Sequence, residues 1–505
     1  MRGYSAPPSV VRVLERCPSC ESSRLEYEFR IDDGRVSRCT DCSLLFLCEM
    51  PPRAAQPAVD YSDRVSERIA HLKASTGAAP RTVLAVVPPG AFGRVDGADV
   101  VAANDLVAEK PPDPPYDALV CIDAVDRVDD ASLLLERIYA ALVPDAPSSF
   151  TVASVGSTTA RYAGASWRGF RSGASTFYSI DTLQSILIRH GFRQPKTYAD
   201  GSLRPGSLRV RTAARLLGAL GLRAVAVAAQ HRSRLLDEAM TIVTVRGEAI
   251  ARPRLSVIVP VYNERSTFRK LMDRLVAKQI DGIDIEIIIV ESNSTDGSRE
   301  EVVDFAGHPR VTVVFQDRPS GKGSAVRAGL VRATGDIVLF QDADLEYEID
   351  DYDDLLRPIC LYQRNFVIGS RHVKGSAWKI RDFNDAPVLS QVFNLGHVVF
   401  LGLLNTIYGQ SLRDPFSMFK VFRRDCIAGL DFECNRFDFD FEIVIKLLRK
   451  GYRPLEIPVN YHSRSIREGK KVTMIRDPLT WFRALARFRR SELYRAGAKP
   501  STDRA

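Results

Sequence analysis

From residue 254 onward the chain alternates apolar runs with amphipathic stretches. Leu255-Ser256-Val257-Ile258-Val259-Pro260-Val261 is nearly continuous in apolar residues, and so are Ile285–Val290 and Ile337–Phe340. Between them, Phe268–Val276 and Ala325–Arg332 place apolar residues at helical spacing. Continuous apolar runs read as strands buried on both faces, and helical periods between them predict a parallel sheet with helices on either side. Each run ends in a polar cluster: Tyr262-Asn263-Glu264, then Glu291 to Ser298, then Gln341-Asp342-Ala343-Asp344-Leu345-Glu346. In open α/β sheets the ligand crevice lies at those carboxyl ends.

The earlier part has the same rhythm. Val83–Val87, Asp99–Ala103, Tyr116–Ile122 and Ser149–Val155 read as strands, Leu133–Leu142 and Thr182–His190 as helices, the second closed by Gly191. A second doubly wound parallel sheet is predicted. Residues 201–252 are rich in Arg, Ala and Leu and carry one strand-like run, Thr241–Val245. Asp385–Tyr408 is apolar but broken by Asn394, His397 and Asn405. It reads as one or two amphipathic helices, packed on the core or lying on a bilayer interface. The expected domains are 11–50, 60–250 and 254–490.

A length of 505 residues allows two to four domains, and 45% hydrophobic with 26% charged residues is ordinary for a globular chain. No apolar run reaches the ~18–20 residues of a membrane span. The stretch Met1-Arg2-Gly3-Tyr4-Ser5-Ala6-Pro7-Pro8 has no apolar signal core, so a cytoplasmic location is expected. Net charge is +8, with base gathered late in Lys470, Lys471, Arg476, Arg483, Arg487, Arg489, Arg490 and Arg495. These residues form either a solvated helix face or a contact with an anionic membrane surface. No nucleic-acid motif accompanies them, and no nucleic-acid partner is expected.

Four of the nine cysteines form two pairs, Cys17-Pro18-Ser19-Cys20 and Cys39-Thr40-Asp41-Cys42. Two such knuckles suit a tetrahedral, structural Zn²⁺ site, with reduced buried thiols as the alternative. Asp342 and Asp344 stand one residue apart at a strand end, where i and i+2 side chains share a side. Two carboxylates aimed together call for a hard cation, Mg²⁺ or Mn²⁺, on a diphosphate. Ser320-Gly321-Lys322-Gly323-Ser324 opens a helix with free amides and a cation, suited to a nucleotide's phosphate or ribose.

The order Pro260-Val261-Tyr262-Asn263-Glu264, Glu291 to Gly297, Gly321-Lys322-Gly323, Asp342-Ala343-Asp344 and Gly369-Ser370-Arg371 resembles family 2 glycosyltransferases of the GT-A fold. Asp414–Arg424, Phe437–Glu442, Tyr461–Arg464 and Gly469-Lys470-Lys471 extend the likeness over residues 254–480, nearest to polyprenyl-phosphate (dolichol-phosphate) mannosyl- and glucosyltransferases. The resemblance implies that Pro260, Tyr262, Glu264, Glu291 and Asp296 line the base and ribose pocket. Glu291 stands where the family usually has Asp. Lys322 reaches the nucleotide, and Asp342 and Asp344 hold the metal on the diphosphate. Glu346 is a third candidate ligand. The donor is a nucleotide-diphosphate sugar, GDP-mannose or UDP-glucose, and transfer inverts the anomeric carbon. A lipid-phosphate acceptor needs positioning by Arg371, Arg464, Lys470 and Lys471. A hydroxyl acceptor, as in cell-surface polysaccharide synthesis, needs a base, with Asp414 the first candidate and Asp440 the second.

The paired cysteines with Tyr116-Asp117-Ala118-Leu119-Val120, and Trp167-Arg168-Gly169-Phe170 through Gly191-Phe192, resemble ribbon-bearing class I S-adenosylmethionine-dependent methyltransferases. The likeness covers about residues 10–200. The family's glycine-rich turn is replaced by Pro88-Pro89-Gly90-Ala91-Phe92-Gly93, where two prolines remove amide donors and fix φ. The acidic residue expected after the second strand falls to Asp105, and Asp126-Arg127-Val128 replaces the usual Glu-His. A degenerate, Rossmann-like domain that does not bind the methyl donor is therefore expected, serving as scaffold or partner surface. An active methyltransferase half, making the protein bifunctional, is the alternative.

Overall fold

The computed structural model describes residues 12–50, 58–109, 115–157, 160, 163–171, 173–199, 239–371, 387–462, 483–489 and 491–494. The chain divides into two compact units, Met1–Ala249 and Ile250–Ala505.

The first unit opens with β1 (Arg12–Val13), β2 (Leu25–Ile31), β3 (Gly34–Cys39) and β4 (Leu45–Met50), paired in the order β1-β4-β3-β2. Then follow α1 (Ser62–Thr76), β5 (Val83–Val87), β6 (Ala98–Ala102), α2 (Ala103–Ala108), β7 (Ala118–Ile122), α3 (Ala131–Ala141), β8 (Pro147–Ala153), β9 (Thr176–Phe177), α4 (Ile180–Arg189), β10 (Phe192–Ala199) and β11 (Ala239–Arg246). β9 pairs with β4, and the other strands form a six-stranded sheet ordered β10-β11-β8-β7-β5-β6. Every residue of β5 and β7 is buried, which is why both read as unbroken apolar runs. The sheet is mixed, not parallel throughout: β11 runs antiparallel to both β8 and β10. α4 begins with a capping box in which Ser179 accepts from the Thr182 N–H.

Strand order reverses between β5 and β7, the place where a ligand crevice would open. There Asp123, at φ +49°, accepts from Arg64 at 2.7 Å and from the Tyr61 hydroxyl at 3.5 Å. Nearby Asp126 is buried and its Oδ1 has no hydrogen-bond partner. Burial, reinforced by the Asp123 charge, pushes its carboxyl up to about 7. The folded state thus holds a proton that the unfolded chain releases near pH ~4, so this group costs stability as pH rises through 7. Asp126→Asn should raise the first unit's melting temperature by a few degrees at pH 8, with the gain shrinking toward pH 5. Thermal melts at the two pH values check this.

The second unit contains β12 (Arg254–Val261), α5 (Arg265–Ala277), β13 (Asp284–Glu291), α6 (Ser298–Val303), β14 (Val311–Phe315), α7 (Lys322–Arg332), β15 (Ile337–Phe340), α8 (Tyr352–Cys360), β16 (Phe366–Ser370), α9 (Pro387–Tyr408), β17 (Lys420–Arg423), α10 (Phe439–Lys450) and β18 (Leu455–Pro458). Its seven-stranded sheet runs β14-β13-β12-β15-β17-β16-β18. The first four strands in that order are parallel, and β17 is antiparallel to both its neighbours. Phe268, Leu271, Met272 and Leu275, one face of α5, are buried in the core. α7 lies so close to β12 that a Cβ on Gly329 would meet Ile258 at 2.5 Å. Asp385–Tyr408 proves to hold one helix, α9, whose residues Val398, Val399 and Leu403 are exposed. No helix among the described residues is long and apolar enough to cross a membrane.

Candidate active site

The parallel strands β12, β13 and β15 all deliver their loops to one end of the sheet. Each loop bends through a left-handed residue that is not glycine: Asn263 at φ +52°, Asn293 at +58° and Leu345 at +57°. A leucine in that region costs roughly 1–2 kcal/mol, strain that concentrates at functional sites.

The loops are tied to each other by side chains. Asn263 N–H donates to Ser294 Oγ at 3.0 Å and Glu264 N–H to Ser298 Oγ at 2.8 Å. Asp296 accepts from the Ser298 hydroxyl at 2.6 Å and from the Arg265 N–H at 3.1 Å. Burial pushes its carboxyl up, but these hydrogen bonds outweigh burial and hold it below the usual range. Glu291 is wholly buried and accepts from the N–H groups of Asn293 (3.1 Å) and Ser294 (2.7 Å) and from Arg299 (2.7 Å). Both carboxylates therefore shape the loops. On the β12 side, Tyr262 is 38% exposed and Pro260 and Glu264 are half-buried.

Gln341 fixes the exit from β15. Its N–H donates to Ile258 O at 3.0 Å, and its side-chain oxygen accepts from the buried Tyr352 hydroxyl at 2.8 Å. One residue on, Asp342 Oδ1 meets Lys322 Nζ at 2.6 Å. Burial disfavours the Lys322 ammonium, yet Asp342 and Asp440 hold its value above that of an ordinary lysine. Asp344 accepts from the Glu346 N–H at 3.1 Å. The Glu346 carboxylate instead accepts from the Tyr461 hydroxyl at 2.8 Å. Asp342, Asp344 and Glu346 do not close into one three-carboxylate cluster. A two-aspartate set, with one aspartate paired to an ammonium at contact distance, would still fit a divalent cation bound together with a diphosphate.

Gly321 and Gly323 make room for protein as well as for any phosphate. A Cβ on Gly321 would meet Asn435 O at 2.5 Å, and one on Gly323 would meet Cys434 O at 2.6 Å. That covering loop is held by the buried Glu442 carboxylate, which accepts from the N–H groups of Glu433 (2.9 Å) and Cys434 (2.8 Å) and pairs with Lys446 at 2.6 Å.

On the β16–β17 side, Asp414 is fully buried and accepts three hydrogen bonds from Arg371: the backbone N–H at 2.9 Å, Nε at 2.8 Å and Nη2 at 2.7 Å. The same guanidinium lies 5.2 Å from the Tyr461 ring centre. Asp414 is thus engaged as the partner of an arginine. Asp440, buried at the start of α10, is the carboxyl whose value burial lifts, with Lys420 and Lys322 pulling it back down. Lys420 is a buried site cation that the motifs did not single out. Burial lowers its value, against the pull of Asp440, and its ammonium donates to Ser417 O. A lysine inside the apolar run Met418-Phe419-Lys420-Val421-Phe422 was the available signal. Arg464, Lys470 and Lys471 lie outside the described residues.

In the first unit, Cys17, Cys20, Cys39 and Cys42 bring their sulfurs within 4.8 Å of one another, with Cys17–Cys42 at 3.5 Å and Cys20–Cys39 at 3.6 Å. Hydrogen bonds among the four push the Cys17 and Cys42 thiols up and the Cys20 and Cys39 thiols down. Four sulfurs this close suit a tetrahedral cation, and the cluster could bind zinc. Among the described residues it is the only group of three or more such ligands.

The Glycosyl transferase family 2 model matches residues 256–428. Residues 256–428, within the second unit, are thus a family 2 glycosyltransferase region. The chain is 28% identical over 217 residues to a dolichol-phosphate mannosyltransferase of Pyrococcus furiosus, covering 43% of this chain and 59% of that one. It is 29% identical over 220 residues to a dolichyl-phosphate beta-glucosyltransferase of Trichomonas vaginalis, covering 41% and 63%. It is also 29% identical over 222 residues to the undecaprenyl-phosphate 4-deoxy-4-formamido-L-arabinose transferase of Edwardsiella ictaluri, covering 43% and 62%. The chain therefore spans about three fifths of the length of these relatives, which are distant. Among solved structures, a glucosyl-3-phosphoglycerate synthase of Mycobacterium tuberculosis is similar at 18% identity and a TM-score of 0.36, covering 47% of this chain and 80% of that one.

Proposed function

We propose that the second unit, a GT-A glycosyltransferase, moves a hexose from GDP-mannose or UDP-glucose to a polyprenyl phosphate at the cytoplasmic membrane face. The observation that carries this reading is the pair Asp342 and Asp344 at the end of β15, with Lys322 at 2.6 Å and Arg371 on the facing side. Asp342 and Asp344 would hold a divalent cation, which would supply charge neutralisation for the departing nucleoside diphosphate without a proton. Tyr262, Pro260 and Glu264 border the nucleotide. Arg371, held by Asp414, orients the acceptor phosphate, joined in this proposal by Arg464, Lys470 and Lys471. An anionic phosphate oxygen attacks the anomeric carbon opposite the leaving group. The new oxygen–carbon bond forms as the bond to the diphosphate breaks, and the centre inverts. The exposed apolar residues of α9 and the basic late residues supply a peripheral bilayer contact.

The raised Asp440 carboxyl favours a second reading, in which the acceptor is a saccharide or small-molecule hydroxyl. A base must then take its proton. Asp440 suits that task better than Asp414, whose oxygens are taken by Arg371.

The first unit is, in this proposal, a structural zinc ribbon on a methyltransferase-like domain that has lost its methyl donor. Its switch point is occupied by Asp123, Arg64 and Tyr61 beside the Pro88-Pro89 turn. One experiment separates these readings. The full chain is given GDP-mannose or UDP-glucose, Mn²⁺ or Mg²⁺, polyprenyl-phosphate vesicles, sugar acceptors and S-adenosylmethionine, and products are read by mass spectrometry. Hexosyl lipid phosphate is expected. A glycosylated sugar alone would favour the second reading, and a methylated product would refute the degenerate first unit.

A further inference from the structure

We propose that Lys322 is a built-in counter-ion that makes divalent-cation binding depend on the nucleoside diphosphate. The inference rests on the reading of Asp342 and Asp344 as metal ligands. Lys322 Nζ lies 2.6 Å from Asp342 Oδ1, and the two side chains are only 17% and 19% exposed. An ammonium therefore already engages a carboxylate that the proposed cation would need. Asp440 and Asp344 add to the attraction on it. Its ammonium also lies 5.8 Å from the Phe437 ring centre.

The main chain at Lys322 is fixed. It begins α7 between Gly321 and Gly323, and the carbonyls of Asn435 and Cys434 fill the space beside both glycines. A movement of the lysine side chain is therefore enough to release Asp342. A divalent ion arriving by itself meets an ammonium at contact distance in a poorly solvated site, and the repulsion weakens its binding. A diphosphate arriving with the metal offers the ammonium new anionic partners, and Asp342 is freed. Coupling of this kind is reciprocal: the nucleoside diphosphate raises metal affinity by the factor that the metal raises nucleotide affinity. Lys322 is a positioning residue in this scheme, acting through the carboxylate that it neutralises.

The test is calorimetric titration of Mn²⁺ into the zinc-saturated full chain, alone and with UDP or GDP present. Wild type should bind Mn²⁺ about tenfold more tightly with the nucleoside diphosphate that it accepts. Lys322→Met should bind Mn²⁺ alone about tenfold more tightly than wild type, and the nucleotide's enhancement should fall below about threefold. Lys322→Arg should restore the coupling. Should the methionine variant fail to fold, Lys322→Gln must show the same gain. Unchanged Mn²⁺ affinity in a folded Lys322 variant, with binding lost in Asp344→Asn, overturns the counter-ion role alone. Intact binding in Asp344→Asn overturns the metal assignment itself.

Discussion

Asp344→Ala should lower hexosyl transfer by roughly 10³-fold or more while leaving the second unit folded. The carboxylate accepts from the Glu346 N–H at 3.1 Å, and Gln341, Tyr352 and Thr267 also hold the loop. Thr267 Oγ1 donates to Ala343 O at 2.8 Å, so the loop keeps its course without Asp344. On the proposed reading, the variant loses half of the two-aspartate seat for the cation, and with it the means to stabilise a departing diphosphate. Excess chelator should reproduce the loss in wild type, and added Mn²⁺ should reverse it. Circular dichroism and a thermal melt check the fold, and a radiolabelled sugar assay checks transfer. Full activity in the variant contradicts the metal role.

Asp414→Ala should be the most destabilising single change in the site. It strips the Arg371 guanidinium, 16% exposed, of a wholly buried carboxylate partner. Removing one member of a buried pair costs about 3–5 kcal/mol, because the remaining charge stays out of water unpaired. A melting temperature lower by roughly 10 °C is expected for a unit of this size. Transfer should fall as well, since Arg371 loses its orientation. The combined change Asp414→Ala with Arg371→Met should recover much of the stability and none of the activity, a non-additivity that marks the two as a unit. If Asp414→Ala alone melts like wild type and keeps its rate, the pair is not the acceptor-side anchor proposed.

Much of the second unit was legible before any coordinates. Residues 254–261, 285–290 and 337–340 are apolar throughout because their strands are covered on both faces, and the structure places β12, β13 and β15 there in parallel register. α7 was predicted from Ala325 but begins at Lys322, since the glycines that hide its first turn from a periodicity argument are packed against Cys434 and Asn435. The partners of charged groups were not legible. Glu291 and Asp296 look like ligand carboxylates in the sequence, yet their oxygens are taken by N–H and side-chain donors of adjoining loops. Asp414 looked like the better base until Arg371, forty-three residues away, was seen to claim it. β11 looked like an isolated strand, and its pairing between β8 and β10 made the first sheet mixed.

By itself, the chain's order of residues determined the α/β class, the parallel strands and the strand end that carries Asp342 and Asp344. It also determined the two cysteine pairs, because periodicity and short spacings act between neighbours in the chain. Only the tertiary structure decided that Lys322 sits on Asp342, that Glu346 turns to Tyr461 and that Lys420 is a buried cation of the site. Charge pairing depends on distance in space through a poorly polarisable interior, and no local pattern encodes which distant groups folding will bring together.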